Sequence, residues 1–199
     1  MSRIKTIYLI RHGECQHNLG EQIFAGSSVD NLLSKVGIET VKKLANEFAD
    51  KEIDLIIESP LRRSKETALI LSKELAVPII EIPELKEINV GKFAGLTKAK
   101  ALKKYPKEAR SFYSGEIRKW VFPSGESFLE LIQRVELLLA KINELPAHNI
   151  IVSGHSMFNR LILFYCFPED RSKWQPTTYP HNRIININIQ QDAFLHRNI

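Results

Sequence analysis

Ile7-Tyr8-Leu9-Ile10-Arg11-His12-Gly13-Glu14 is the stretch that decides the fold. Four apolar residues between charged flanks read as a buried strand. Arg11 and His12 then fall at the strand's carboxyl end, where open α/β sheets place their ligand sites. A guanidinium there can grip an anion with its fork of N–H groups. A neutral imidazole beside it can attack as a nucleophile, or move protons, near neutral pH. The pair points to binding, and then taking, a phosphoryl group.

Downstream, residues 13–33 lack periodicity and carry Gly13, Gly20, Gly26, Ser27, Ser28, Asp30 and Asn31. Long aperiodic loops in small domains are usually functional. Ser34 fits a helix N-cap, and Val41, Leu44, Ala45 and Phe48 recur on one helical face. Ile53–Ile57 reads as a second buried strand. It runs into Ser59-Pro60-Leu61-Arg62-Arg63-Ser64, where Ser59 fits an N-cap and Pro60 the first helical position. Arg62 then lies in the first helical turn, where free N–H groups and the helix dipole favour an anion. That helix continues through Thr67, Ala68, Leu71 and Leu75 and stops before Pro78.

Ile79–Ile82 is a third short strand, and a loop carrying Glu87, Gly91 and Gly95 follows it. Helical stretches are expected over 99–104 and 107–113. Ser127 and Glu130 have capping-box spacing ahead of an amphipathic stripe from Phe128 to Ile142. Asn149–Ser153 is a fourth strand that ends in Gly154-His155-Ser156, with a helix over 157–166. The stretch 168–183 is irregular, and Ile185, Ile187 and Ile189 alternate with polar residues as in a one-sided edge strand. Strand alternating with helix predicts a three-layer α/β/α sandwich around a mostly parallel sheet.

The 199 residues suit one domain, and the 44% hydrophobic and 26% charged fractions are ordinary for a globular chain. No apolar run is long enough to span a bilayer, and the N-terminus falls short of a secretory signal. Cys15 and Cys166 make neither a disulfide framework nor a CxxC zinc motif, so a reducing cytoplasm is expected. The net charge of +5 is local. Residues 97–120 hold eight basic against two acidic side chains, a net +6, leaving −1 for the remainder. Such a segment is either a solvated helix face or a field aimed at an anion.

Three corners at one sheet edge thus carry Arg11-His12, Arg62 and His155. Phosphoryl transfer is catalysed mostly by positioning and by stabilising charge on equatorial oxygens. Arg11, Arg62 and a protonated His155 would hold those oxygens while His12 attacks. The leaving alkoxide needs a proton, for which Glu87 and Glu14 are both candidates on spacing alone.

At these residues the chain resembles the histidine phosphatase superfamily, its phosphoglycerate-mutase-like group. Arg11-His12-Gly13 with Asn18 matches the first signature of that family, and Ser59 to Ala68 matches its second block. Leu85-Lys86-Glu87-Ile88-Asn89-Val90-Gly91 and Phe93-Ala94-Gly95 match the acid-bearing loop. Pro123 to Ser127 and Val152 to Ser156 complete five blocks in order. The resemblance implies that His12 is the phosphorylated nucleophile and Glu87 the proton donor. It implies that Arg11, Arg62 and His155 complete the phosphate pocket, with Asn18, Gly26 and Ser156 contributing to binding. It implies no metal and no cofactor, and a lid insertion that contains 97–120 within a single domain spanning 1–199.

Three departures bear on the activity. Ser156 stands where the family commonly has glycine, Ala25 where mutases tend to carry a hydroxyl residue, and Ala94 where an acidic residue is frequent. The chain is also shorter than the bisphosphoglycerate-dependent mutases. A phosphatase acting on small phosphorylated metabolites is therefore expected, with a phosphoglycerate mutase as the alternative. Nucleic acid and membrane are not expected partners, and a homodimer is an open option. An anion- or nucleic-acid-binding module is the non-enzyme alternative, but no RNA- or DNA-binding signature accompanies the basic segment. A serine-hydrolase elbow at Gly154-His155-Ser156, with Asp170 and His181 or His196, fails because Phe158 replaces its second glycine. A cysteine phosphatase fails because Cys15 lacks an arginine at loop spacing.

Overall fold

The first strand, β1 (Ile4–Arg11), sends its side chains alternately into two cores. Ile7 and Leu9 face one, and Tyr8 and Ile10 the other. A strand buried on both faces needs a helical layer on each side. The computed structural model, which describes residues 4–21, 23–114, 116–170 and 180–190, supplies both.

On one side, α1 (Lys35–Asn46) and α2 (Arg62–Leu75) press Val41, Leu44, Ala68 and Leu71 onto Tyr8 and Ile10. On the other, α5 (Phe128–Glu144) and α6 (Ser156–Cys166) press Val135, Leu138, Phe158 and Leu161 onto Ile7 and Leu9. The remaining strands are β2 (Leu55–Glu58), β3 (Ile79–Glu81), β4 (Asn149–Gly154) and β5 (Ile184–Gln190). The sheet order is β3-β2-β4-β1-β5. All pairings are parallel except β5, which runs antiparallel along β1 at the edge. This is the expected α/β/α sandwich with its alternating edge strand.

Register brings three strand ends level. Arg11 pairs with Gly154, and Glu58 with Ser153. The residues that follow β1, β2 and β4 therefore emerge side by side. Capping reinforces the frame: Ser34 accepts from Gly37 N–H, and Ser127 and Glu130 form the predicted capping box.

The second corner departs from expectation. Helix α2 begins at Arg62, and Leu61 stands at its N-cap without a side-chain cap. Ser59 is buried and spends its hydroxyl elsewhere. Helix α6 begins one residue early, at Ser156, and Phe48 packs into the core from just beyond α1.

The basic segment forms α3 (Lys98–Lys104) and α4 (Pro106–Tyr113). Thr97 caps the first by accepting from Lys100 N–H, and Pro106 opens the second. The lysines lie outward, while Phe112 joins Trp120 and Phe122 over Phe93. Trp120 and Phe122 are thus packing residues. Trp174 and His196, and most of the stretch 168–183, lie outside the described residues.

Candidate active site

His12 leaves β1 with its backbone N–H on Gly154 O at 3.0 Å. Its side chain is 2% exposed. Nδ1 donates to Gly13 O at 2.7 Å, because a carbonyl can only accept. The proton is then on Nδ1, and Nε2 presents a lone pair. Arg63 Nε donates to that Nε2 at 3.2 Å. Burial, with the nearby His155, Arg11 and Arg63, holds the imidazole well below its usual pKa. At neutral pH His12 is an uncharged base with one nitrogen aimed at a cationic pocket.

Arg63, rather than Arg62, is the second arginine of the site. Arg62 is exposed, and among the described residues its backbone N–H alone is engaged, on Asp30 at 2.8 Å. Arg63 is 1% exposed. One terminal nitrogen donates to Val29 O at 2.5 Å and the other to Gly26 O at 2.9 Å, with Asp30 Oδ1 at 3.7 Å. The reason is helical phase. The buried residues of α2 are Arg63, Ser64, Thr67, Ala68 and Leu71. Thr67 and Ala68 were legible as inward, and stepping back one turn from Thr67 reaches Arg63, not Arg62.

His155 is fully buried, and its ring centroid lies 5.2 Å from that of His12. Ser59 Oγ accepts from Leu61 N–H at 3.3 Å and sits 2.8 Å from His155 Nε2. The tautomer sets the direction of that bond, because a serine oxygen can accept from both Leu61 N–H and an Nε2–H. Among the described residues, Nδ1 has no hydrogen-bond partner. Burial, then Arg63 and Arg11, keep this imidazole well below its usual pKa. In place of the expected imidazolium, burial beside Arg63 and Arg11 favours a neutral ring, set behind the cavity lining with its Nδ1 unpartnered among the described residues.

Glu87 is 6% exposed and rests on the start of α6. Its Oε1 accepts from Ile88 N–H and Phe158 N–H, both at 3.0 Å, and Oε2 from Met157 N–H at 3.2 Å. Glu14, the rival acid, is engaged instead by Ser34 Oγ at 2.7 Å. Burial lowers Arg11 to about 10, against the raising effect of Glu87. Arg11, His12, Asn18, Gly26, Arg63, Glu87 and Ser156 line one cavity of about 660 Å³. Asn18 fixes the loop by accepting from Cys15 N–H at 3.1 Å. Gly26 has φ +53°, and a Cβ there would stand 2.8 Å from Ile88 O. Only glycine lets this loop approach the acid-bearing loop while its carbonyl holds Arg63.

The fold also brings His17 and His181 to the site. Both line the cavity. His181 Nδ1 donates to His12 O at 2.6 Å, and burial lowers it to about 4. His17 is likewise lowered to about 4, mainly by burial. His181 comes from the irregular stretch ahead of β5, whose local pattern carries no signal for it.

Where no cation ligands were expected, the fold gathers three donors. His12, Cys15 and His17 offer ligand atoms within 4.8 Å of one another. Their chemistry opposes a metal: burial pushes the Cys15 thiol up to about 11, and Arg11 and Arg63 crowd the same space. A thiolate, the form that binds metals, is disfavoured there.

A family model described as the histidine phosphatase superfamily (branch 1) matches residues 7–198. A metal-independent phosphoserine phosphatase of Arabidopsis thaliana is 32% identical over 164 residues, covering 81% of this chain and 68% of that protein. The "probable phosphoglycerate mutase GpmB" of Escherichia fergusonii is 32% identical over 140 residues, covering 70% of this chain and 64% of that one. Among solved structures, Bacillus stearothermophilus YhfR superposes with a TM-score of 0.81 at 22% identity, over 95% of this chain and 92% of that one.

Proposed function

The chain belongs to the histidine phosphatase superfamily, and from that membership we propose that it is a metal-independent phosphatase. It hydrolyses phosphomonoesters of small metabolites through a phosphohistidine on His12. The observation that carries this is the neutral His12 imidazole, its Nε2 lone pair 3.2 Å from Arg63 Nε. A nucleophile and its anion clamp share one point.

In the reading that follows, a phosphate dianion enters between Arg11, Arg63 and His155. Arg63 turns its Nε from His12 to a phosphoryl oxygen. Nε2 attacks phosphorus in line and forms the P–N bond while the P–O ester bond breaks. Glu87 gives its proton to the departing alkoxide. Water then attacks the phosphohistidine, Glu87 takes its proton, and phosphate leaves as the P–N bond breaks. Positive charge comes from guanidinium groups, so the step needs no Lewis acid. Asn18 and Gly26 hold the loop that backs the pocket, and Ser156 adds a hydroxyl at its wall.

Hydrolysis rather than transfer is supported by Ala25, which gives the cavity wall no hydroxyl to orient a second phosphorylated position. Residues 97–120 act as the lid of a single domain, since Lys98, Phe112 and Tyr113 reach the same cavity. No helix among the described residues is long and apolar enough to cross a membrane. The two buried, unbridged cysteines suit a reducing cytoplasm.

The test is a rapid quench with a labelled phosphate ester in chelator, followed by alkali. An acid-labile protein adduct is expected, absent in His12→Ala. Turnover without adduct, undiminished in that variant, overturns the mechanism. A panel of phosphorylated metabolites run with and without 2,3-bisphosphoglycerate separates phosphatase from mutase.

A further inference from the structure

Beyond the phosphate end the cavity changes character. At about 660 Å³ it encloses a whole small molecule, not a phosphate alone. Its floor is cationic and polar. Its outer wall is Ile23 and Phe24 from the first loop, and Phe112 and Tyr113 from α4. Phe24 stands 5.1 Å from Phe112 and 6.1 Å from Tyr113, and those two stand 5.1 Å apart, all edge to face. Phe93, fully buried, supports Phe24 from below at 5.0 Å.

In this wall Phe24 is 7% exposed and Phe112 half-buried, so Tyr113 is the open member at the rim. Tyr113 is 37% exposed, and Lys98 Nζ stands 4.6 Å from its ring centre. A cation over the ring holds it in place at the rim. Among the described residues, the two carboxylates of the lining, Glu14 and Glu87, are taken up at the floor. A sugar's hydroxyls would need several convergent donors and acceptors. The outer wall offers ring faces, one phenol and one ammonium.

We propose that Phe24, Phe112 and Tyr113 form a subsite for an aromatic ring on the alcohol half of the substrate. The preferred ester then carries a flat aromatic or heteroaromatic group a few bonds from its phosphate. An incoming ring completes the edge-to-face set, a geometry that aromatic groups favour. The inference rests on the phosphatase reading for its phosphate end, and names the substrate class of that same site.

The test uses matched pairs in which only the ring differs. Binding of 2-phenylethylphosphonate and propylphosphonate, neither hydrolysable, is measured by calorimetry, and turnover is measured on the corresponding phosphate esters. The ring is expected to strengthen binding about tenfold or more, with the same preference in kcat/KM carried mostly by KM. Tyr113→Leu should bring the ratio close to one, and Tyr113→Phe, which keeps the ring, should restore it. Equal binding of the two phosphonates overturns the subsite, and so does failure of phenylalanine to rescue. If neither ester is hydrolysed, the phosphatase reading falls, while the phosphonate ratio still decides the subsite.

Discussion

Arg63 Nε stands 3.2 Å from His12 Nε2, and the residue before it, Arg62, faces solvent. Adjacent arginines on a helix point about 100° apart, so one enters the pocket and the other cannot. Arg63→Ala is expected to lower kcat/KM by about 10²–10³, the size of effect seen when one preorganised donor is removed. Arg62→Ala should change it by no more than about threefold. Arg63→Lys should recover little, because an ammonium cannot replace a planar fork shared between His12, Gly26 and Val29. Steady-state kinetics on the three variants, with circular dichroism to confirm folding, decides the assignment. Equal losses at 62 and 63 would remove Arg63 from its special place.

Glu87 tests the proton-transfer half of the mechanism. Two N–H groups of α6 and the Ile88 N–H hold its carboxyl; a glutamine oxygen can keep the Ile88 and Phe158 bonds, while its NH2 loses the 3.2 Å bond from Met157 N–H. Glu87→Gln is expected to slow hydrolysis of alkyl phosphates by about 10²–10³. Nitrophenyl phosphate, whose phenolate leaves without a proton, should lose far less. A plot of log kcat against leaving-group pKa should therefore steepen in the variant. Parallel lines for the two proteins would mean that Glu87 is not the acid.

Much of this site was legible before the fold. The apolar run into Arg11-His12 placed His12 at the cavity, since a buried strand must end at a sheet edge. His155 followed from the end of the fourth strand and Glu87 from its glycine-containing loop, with Glu14 as its rival until the resemblance. Arg63 was missed by one residue because Ser59-Pro60 looked like a helix start, which put Arg62 in the anion-binding turn. The structure begins α2 at Arg62 and spends the Ser59 hydroxyl on His155 Nε2 at 2.8 Å. Local capping signals lost to a tertiary hydrogen bond. His17 and His181 could not be found by pattern, for one lies in an aperiodic loop and the other 169 residues from its partner carbonyl on His12. The protonated state expected of His155 is disfavoured first by its burial and then by Arg63 and Arg11, a surrounding that only the three-dimensional fold assembles.

Gly26 links the loop to the clamp. With φ +53°, a side chain costs about 1–2 kcal/mol in backbone strain alone. The added Cβ also meets Val90 Cγ2 at 2.6 Å and Ile88 O at 2.8 Å. Relief must move the Gly26 carbonyl, which accepts from Arg63 at 2.9 Å. Gly26→Ala should lower both the unfolding midpoint and kcat/KM, the latter at least tenfold. Gly20 also has a positive φ, +81°, but nothing within 4 Å of its would-be Cβ. Gly20→Ala should cost comparable strain and leave kcat/KM within about twofold. If both variants lost the same activity, the Gly26 carbonyl would not be positioning Arg63.

The four histidines of the site give stability a defined pH dependence. His12 and His155 are held well below 6.5 by burial and by the arginines, and His17 and His181 lie at about 4. In the unfolded chain all four titrate near 6.5. Above that pH both states carry neutral imidazoles, and these groups add no slope. Below it the unfolded state binds more protons than the folded one, so stability falls as pH falls. Urea midpoints should be flat from pH 8 to about 6.5 and decline from there to pH 5, before the carboxylates titrate. Phosphate or vanadate should flatten that decline, because a bound dianion offsets the guanidinium charge and lets His155 accept a proton in the fold. A midpoint that rose on acidification from pH 7 to 5 would mean that the folded site welcomes imidazolium. The neutral nucleophile at His12 would then have to be abandoned.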